Sequence, residues 1–141
     1  MAVTPSQDKK AFWKRIRYDP EILRLMGWEN VSPVEFPDLI LTKRAIPGIL
    51  KASDRYICIY NTSGKRTYDT AFSSPVMQID VLVPYQDSDR ADRVVERLIP
   101  LFTKNFKVNN RYVLFDSQLG DTTAPSGFYC HSVRFFYYTS I

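Results

Sequence analysis

Six apolar residues, Ala91, Val94, Val95, Leu98, Ile99 and Phe102, recur at spacings of three, one, three, one and three. That rhythm puts them on one face of a helix and leaves a stripe that must be buried against another element. The spacing predicts a helix over 87–104, opened by Asp87 or Ser88 as its N-cap. Asp87, Asp89 and Asp92 fall in the first turn, where the backbone dipole favours negative charge, and Arg97 and Lys104 follow toward the end. Pro100 should bend or shorten the last turn. Of the pairs four apart, Asp89 with Arg93 is favourable and Asp92 with Glu96 repulsive, so they offset.

The partner for that stripe is legible just upstream. Across 75–84, Gln78 and Asp80 alternate with Met77, Ile79, Val81 and Val83, the period-two pattern of a strand with one buried face. Residues 55–60 form a second β-rich run that ends at the turn formers Asn61-Thr62-Ser63-Gly64, so a loop around 61–74 would join the two as an antiparallel pair. A third strand is predicted over 111–116, then an exposed loop over 120–127. The last strand carries Val133, Phe135 and Tyr137 on one face and Arg134, Phe136 and Tyr138 on the other. Bulk on both faces predicts a strand that is central or pressed against another subunit.

Upstream of the strands, Asp8 is placed to cap a short helix with Ala11, Phe12, Arg15 and Ile16 at three-and-four spacing, stopping near Tyr18. Asp19-Pro20-Glu21 reads as a fresh helix start and Gly27 as a left-handed stop after Ile22, Leu23, Leu25 and Met26. From 28 to 53, Pro33, Pro37 and Pro47 interrupt any long regular element, which predicts an extended arm with a short strand at Leu39, Ile40 and Leu41. The expected fold is therefore α+β: a mainly antiparallel sheet of about four strands, helices packed on one face, and a long extended proline-containing arm. A chain of 141 residues buries one core. A single domain is expected across 1–141, with a helical pair at 1–27, the arm at 28–53, and the sheet and main helix at 54–141.

Composition narrows the function classes more than it selects one. A hydrophobic fraction of 45% excludes a disordered chain. No apolar run approaches the roughly 20 residues that span a bilayer, and MAVTPSQDKK lacks the apolar core of a secretory signal, so a cytoplasmic start is expected. The net charge of +4 is concentrated in residues 1–66, but it is scattered there without a block of like charges, as on an ordinary solvated surface.

Candidate chemistry is sparse. His131 is the one histidine, and Cys58 and Cys130 have no metal-ligand spacing, so no metal or cofactor is expected and both thiols read as small buried hydrophobes. Cys130 and His131 are adjacent in a strand and point to opposite faces, which separates a thiol from its would-be base. Asp80, Asp87, Asp89, Asp92 and Asp116 are the carboxylates available for acid–base or two-metal work, and three of them fit a helix start instead. No phosphate-binding glycine loop and no GxSxG turn occurs. The run Phe135-Phe136-Tyr137-Tyr138 beside Arg134 offers faces for base stacking, but lacks the interleaved Gly and basic residues of an RNA-binding strand. No enzyme activity is expected.

The order of the N-terminal helix, the strand at 56–60 with its loop, the strand Val76-Met77-Gln78-Ile79-Asp80-Val81-Leu82-Val83, the helix opening Asp87-Ser88-Asp89-Arg90-Ala91 and a closing strand pair resembles the tail terminator, or tail-completion, proteins of long-tailed bacteriophages. The likeness covers about residues 54–140. It implies a homo-hexameric ring in the neck of the virion, assembled in the host cytoplasm. One face of the ring would meet the tail-tube protein and the other the head connector or stopper, with DNA only passing through. Lys65, Arg66 and Tyr68 in one predicted loop, and Asp121, Thr122 and Thr123 in another, are the expected contacts between rings, joined by Arg134 and Tyr138 of the two-faced strand. A different head-tail neck protein, a nucleic-acid-binding module and a small hydrolase or nuclease remain open alternatives from the residues alone.

Overall fold

Six strands form one sheet in the computed structural model, which describes residues 5–45, 48, 50–51, 54–66, 73–108 and 110–138. The strands are β1 (Ile40–Leu41), β2 (Tyr56–Arg66), β3 (Ser73–Pro84), β4 (Lys107–Val108), β5 (Arg111–Thr122) and β6 (Phe128–Tyr138). Their order across the sheet is β1-β2-β3-β6-β5-β4. β1 pairs with β2 in parallel, and every other neighbouring pair is antiparallel. The helices are α1 (Pro5–Arg17), α2 (Pro20–Met26), the single turn α3 (Phe36–Leu39) and α4 (Ser88–Thr103). The α+β class expected from the sequence is present, with six strands rather than about four. Of the two further strands, β1 falls within the short strand expected at Leu39, Ile40 and Leu41, and β4 is a two-residue piece too short to show a period.

The stripe on α4 explains the arrangement. Ala91, Val94, Val95, Leu98 and Phe102 are fully buried, facing Met77, Ile79, Val81 and Val83 of β3 and Val133 and Phe135 of β6. Phe12 of α1 joins this core, its ring 4.5 Å from Phe102 and 6.2 Å from Phe135. Burying one such side chain contributes on the order of 1.5–3 kcal/mol, so a shared aromatic cluster holds both helices to the same face of the sheet. β6 lies between β3 and β5. Val133, Phe135 and Tyr137 enter the core, while Arg134 and Phe136 stand on the opposite face.

Charged side chains tie the helices to one another. Asp19 caps α2 by accepting from the Ile22 amide at 3.1 Å, and the same carboxylate takes a two-pronged grip from Arg97 of α4 at 2.7 and 3.0 Å. Gly27 ends α2 at φ 71°; its N–H donates to Arg24 O and that of Trp28 to Leu23 O, the double closure that needs a left-handed residue. A side chain there would also meet Arg55 Nη1 at 3.0 Å.

Several local expectations are corrected. Asp8 is not the cap of α1; it lies inside the helix, 3% exposed, and accepts from Arg111 Nη2 at 2.6 Å. Asp87 occupies the N-cap position of α4 without a capping bond, because Arg55 donates to it at 3.1 and 3.2 Å. α4 continues past Pro100 to Thr103, close to the 87–104 expected. The arm is less extended than its prolines suggest: Pro33 opens a 3-10 turn and Pro37 lies in the first turn of α3, positions where a missing N–H costs nothing. Phe36 is buried beneath Trp28 and the Arg17 guanidinium. Pro47 lies outside the described residues. The loop expected at 61–74 is shorter, since pairing with β3 carries β2 past its turn formers through an irregularity between Thr62 and Lys65. The loop expected at 120–127 loses Gly120, Asp121 and Thr122 to a bulged end of β5.

Asp19→Ala removes a cap and the partner of Arg97, and should cost about 1–3 kcal/mol in urea unfolding. Burial raises the Asp19 pKa, but the Arg97 and Ile22 hydrogen bonds outweigh it, and the net value lies below the ordinary 3.8. The folded state thus binds this proton less readily than the unfolded chain. Its contribution is whole above about pH 4 and falls as pH drops through the lowered folded value, so Asp19→Asn should flatten stability against pH in that acid window.

Candidate assembly interface

Strand pairing arranges side chains in rows across the sheet, and alternate rows face away from the helices. Tyr60, Gln78, Arg134 and Ser117 make one such row; Cys58, Asp80, Ser132 and Leu119 make the next. At the centre the Asp80 carboxylate accepts from Tyr60 Oη at 2.5 Å, Ser132 Oγ at 2.6 Å and Gln78 Nε2 at 2.8 Å. Arg134 Nε donates to Gln78 Oε1 at 2.9 Å, and Thr122 Oγ1 lies 3.2 Å from Ser132 Oγ. None of these side chains has a buried nitrogen or oxygen without a partner. Burial first, then the bond to Asp80, push the Tyr60 phenol well above its usual pKa, so it remains a donor. A network satisfied in this way locks the register of β2, β3 and β6.

Beside it Tyr56, Cys58, Leu82, Phe128 and Cys130 form a second apolar cluster under Leu41. Both cysteines are buried and free. Burial and then the nearby Asp80 charge push the Cys58 thiol up to about 12, and the Cys130 thiol is raised by the same causes. These are packing residues.

The predicted contact residues are distributed over both sides of the sheet. Lys65 and Arg66 lie at the end of β2, opposite Ser74 and Ser73, and not in a loop; Tyr68 lies outside the described residues. Asp121 and Thr122 end β5, Asp121 exposed at φ 54° and Thr122 donating to Cys130 O, and exposed Thr123 follows. Arg134 is exposed on the face away from the helices, and Tyr138 pairs with Tyr112 at the far end of β6. Thr122 and Arg134 therefore lie on different rungs of the β5–β6 pair, whereas Lys65 and Arg66 lie on β2 toward the opposite edge.

Sequence reasoning missed the outer edge of β5. β4 covers it only at Arg111 and Tyr112. From 113 to 122 no strand lies outside it among the described residues. Along this strand Tyr112, Leu114, Phe115 and Leu119 are 43%, 39%, 40% and 64% exposed. An unpaired edge bearing large apolar side chains is a template for another chain. Its sequence signal was the run of bulky residues continuing to Leu119, which a strand ending at 116 concealed.

The other candidate groups are held in separate contacts among the described residues. His131 Nδ1 lies 2.7 Å from Asp92 Oδ1, which also accepts from Tyr129 Oη at 2.9 Å, but His131 Nε2 is sealed in the protein without a partner. Asp87 is held by Arg55, and Asp116 accepts from its neighbour Ser117 on the surface. No group of three or more His, Cys, Asp or Glu that could hold a metal ion occurs among the described residues. A groove of about 980 Å³ between α1, α3 and β1 has Trp13, Trp28 and Tyr56 in its walls, together with Lys10, Lys14, Lys43, Lys51, Arg55, Glu35, Asp38 and Asp54. Its Trp13 Nε1 already donates to Ile40 O at 2.9 Å and Arg55 to Asp87.

No family model and no curated protein matches this sequence. One solved chain aligns over 99% of this chain and 99% of its own length, with 19% identity and a TM-score of 0.49, a likeness too low to transfer a function. No helix among the described residues is long and apolar enough to cross a membrane.

Asp80→Ala strands three donors in a half-buried site and should lower stability by about 2–4 kcal/mol, whereas Tyr60→Phe should cost about 1 kcal/mol, both read by chemical denaturation. A thiol reagent such as Ellman's should modify neither cysteine until the protein unfolds; rapid labelling of native protein at neutral pH would contradict the packing assignment.

Proposed function

We propose that this chain is a structural assembly subunit that joins copies of itself into a ring and performs no catalysis. The kind of ring that fits is a phage tail terminator, which caps the tail tube and joins it to the head connector in the neck of the virion. The observation that carries the assembly reading is the open outer edge of β5, with Leu114, Phe115 and Leu119 exposed along it. Proteins that remain monomeric blunt such edges or keep them short, so a long edge with apolar side chains favours a partner. The terminator identity draws on the order of elements: an N-terminal helix, a strand pair, the amphipathic helix, then a closing hairpin.

On this reading the remaining surface has work as well. Exposed Asp121 at the end of β5 and Thr123 just after it would touch a neighbouring ring, and Arg134 adds a cation to the open face of the sheet. The tube protein and the connector or stopper are the partners, and DNA is threaded without being read.

Sedimentation and native mass across a range of concentrations, with and without tail-tube protein, test the proposal. A closed multimer, or one that forms on adding tube subunits, is expected; a monomer that ignores tube protein at every concentration rejects the reading. Leu114→Asp with Leu119→Asp should abolish assembly while leaving the unfolding midpoint of the monomer within about 0.5 kcal/mol of the parent, as expected for surface positions.

A further inference from the structure

The free stretch of β5 is bounded at both ends. β4 covers the strand as far as Tyr112, and Asp121 takes a left-handed φ of 54° inside the irregularity that follows Leu119. Residues 113–120 between these limits have no strand outside them among the described residues. Leu114, Ser117 and Leu119 pair with Phe136, Arg134 and Ser132, on the face away from the helices. Val113, Phe115 and Gln118 pair with Tyr137, Phe135 and Val133, on the core side. The alternation shifts by one at Asp116, the extra residue between Phe115 and Ser117. Ser117 Oγ donates to Asp116 Oδ2 at 3.1 Å, which puts these two side chains on the same side of the sheet.

A second copy of this stretch fits it. Laid antiparallel to itself over its full length, 113–120 sets Leu114 opposite the other copy's Leu119 and Phe115 opposite its Gln118, with a two-fold axis between Asp116 and Ser117. Each of these pairs joins side chains that face the same way, as an antiparallel ladder requires. The extra residue makes this possible: in a regular strand, positions 114 and 119 would point to opposite faces. Moving the second copy by one residue sets opposite faces against each other. Moving it by two leaves Leu119 opposite Tyr112, already covered by β4, or Leu114 opposite Asp121. The register that uses the whole free stretch is therefore also the one that buries the exposed leucines, 39% and 64% accessible, against one another.

We propose that the free protein is a two-fold pair in which the outer β5 edges of two copies form one antiparallel ladder over 113–120. The inference rests on the assembly reading above and adds which surface covers that edge while no tube protein is present. Because the contact is two-fold it closes at two copies, and a ring draws on the same edge only after the pair has opened. The two Asp116 side chains come close to the axis, where like charges weaken the pair.

Cysteine cross-linking reads the register, since native Cys58 and Cys130 are buried. Residues directly opposite in a ladder have Cα atoms about 4.5–5.5 Å apart, within disulfide reach, whereas Leu114 of one copy would be about 17 Å along the strands from Leu114 of the other. Mixed in equal amounts under mild oxidation, Leu114→Cys and Leu119→Cys should give linked dimers holding one of each, about tenfold or more faster than either variant links to itself. Asp116→Asn should tighten the pair about twofold or more at low salt, read by sedimentation. The register is overturned, while the assembly reading stands, if either cysteine variant links to itself as fast as the mixture does, if a multimeric parent gives no mixed link, or if Asp116→Asn pairs no more tightly than the parent. A parent that is monomeric alone but multimeric with tube protein overturns the resting pair, and one that is monomeric in both conditions overturns both readings.

Discussion

The apolar face of α4 has to be removed from water, and the rest of the structure is organised around that constraint. Ala91, Val94, Val95, Leu98 and Phe102 are buried in one core with the inner residues of β3 and β6. α1 reaches the same place through Phe12. Once these three elements share a core, the ion pairs follow. Arg97 on the flank of α4 comes within reach of Asp19, and Arg111 at the start of β5 comes within reach of Asp8. Both carboxylates are nearly inaccessible, a burial tolerable for a charge only with a cation at hand.

With one face of the sheet committed to the helices, the other divides into two parts with different uses. Its centre is closed by Asp80, Tyr60, Gln78 and Ser132, hydrogen-bonded among themselves. Polar groups satisfied this way specify register, because a slip of one residue would leave each of them orphaned in a poorly hydrated place. Its margin along β5 is unfinished: apolar side chains and backbone groups face outward with nothing beside them among the described residues. The paired polar centre and the exposed apolar margin of β5 are the two features on which the proposed assembly role rests.

Much of the architecture is legible in the amino-acid order. The helix at 88–103, the restart at Asp19-Pro20, the left-handed stop at Gly27 and the interior placement of the last strand all follow from period, caps and two-sided bulk. The errors have a common cause. Asp8 and Asp87 were read as caps because their type and place suit one, yet Arg111 and Arg55, far away in sequence, claimed both side chains. Turn formers at 61–64 suit a strand end and those at 120–127 a loop, yet cross-strand pairing carries the ladder past 61–64 and as far as Thr122 through irregular register. Gln78 and Asp80 were seen to share a face, but not that the face was covered, since Tyr60 and Ser132 come from other strands.

The amino-acid order by itself determined the local periods, the helix stops and the sparseness of reactive groups, because these depend on residues within a turn or two of one another. Tertiary structure alone decided which carboxylate meets which cation, how far each strand extends, and which edges of the sheet remain open. Those outcomes depend on strand order and register, and residues 20 to 100 positions apart in the chain become neighbours only when the whole sheet has been assembled around its core.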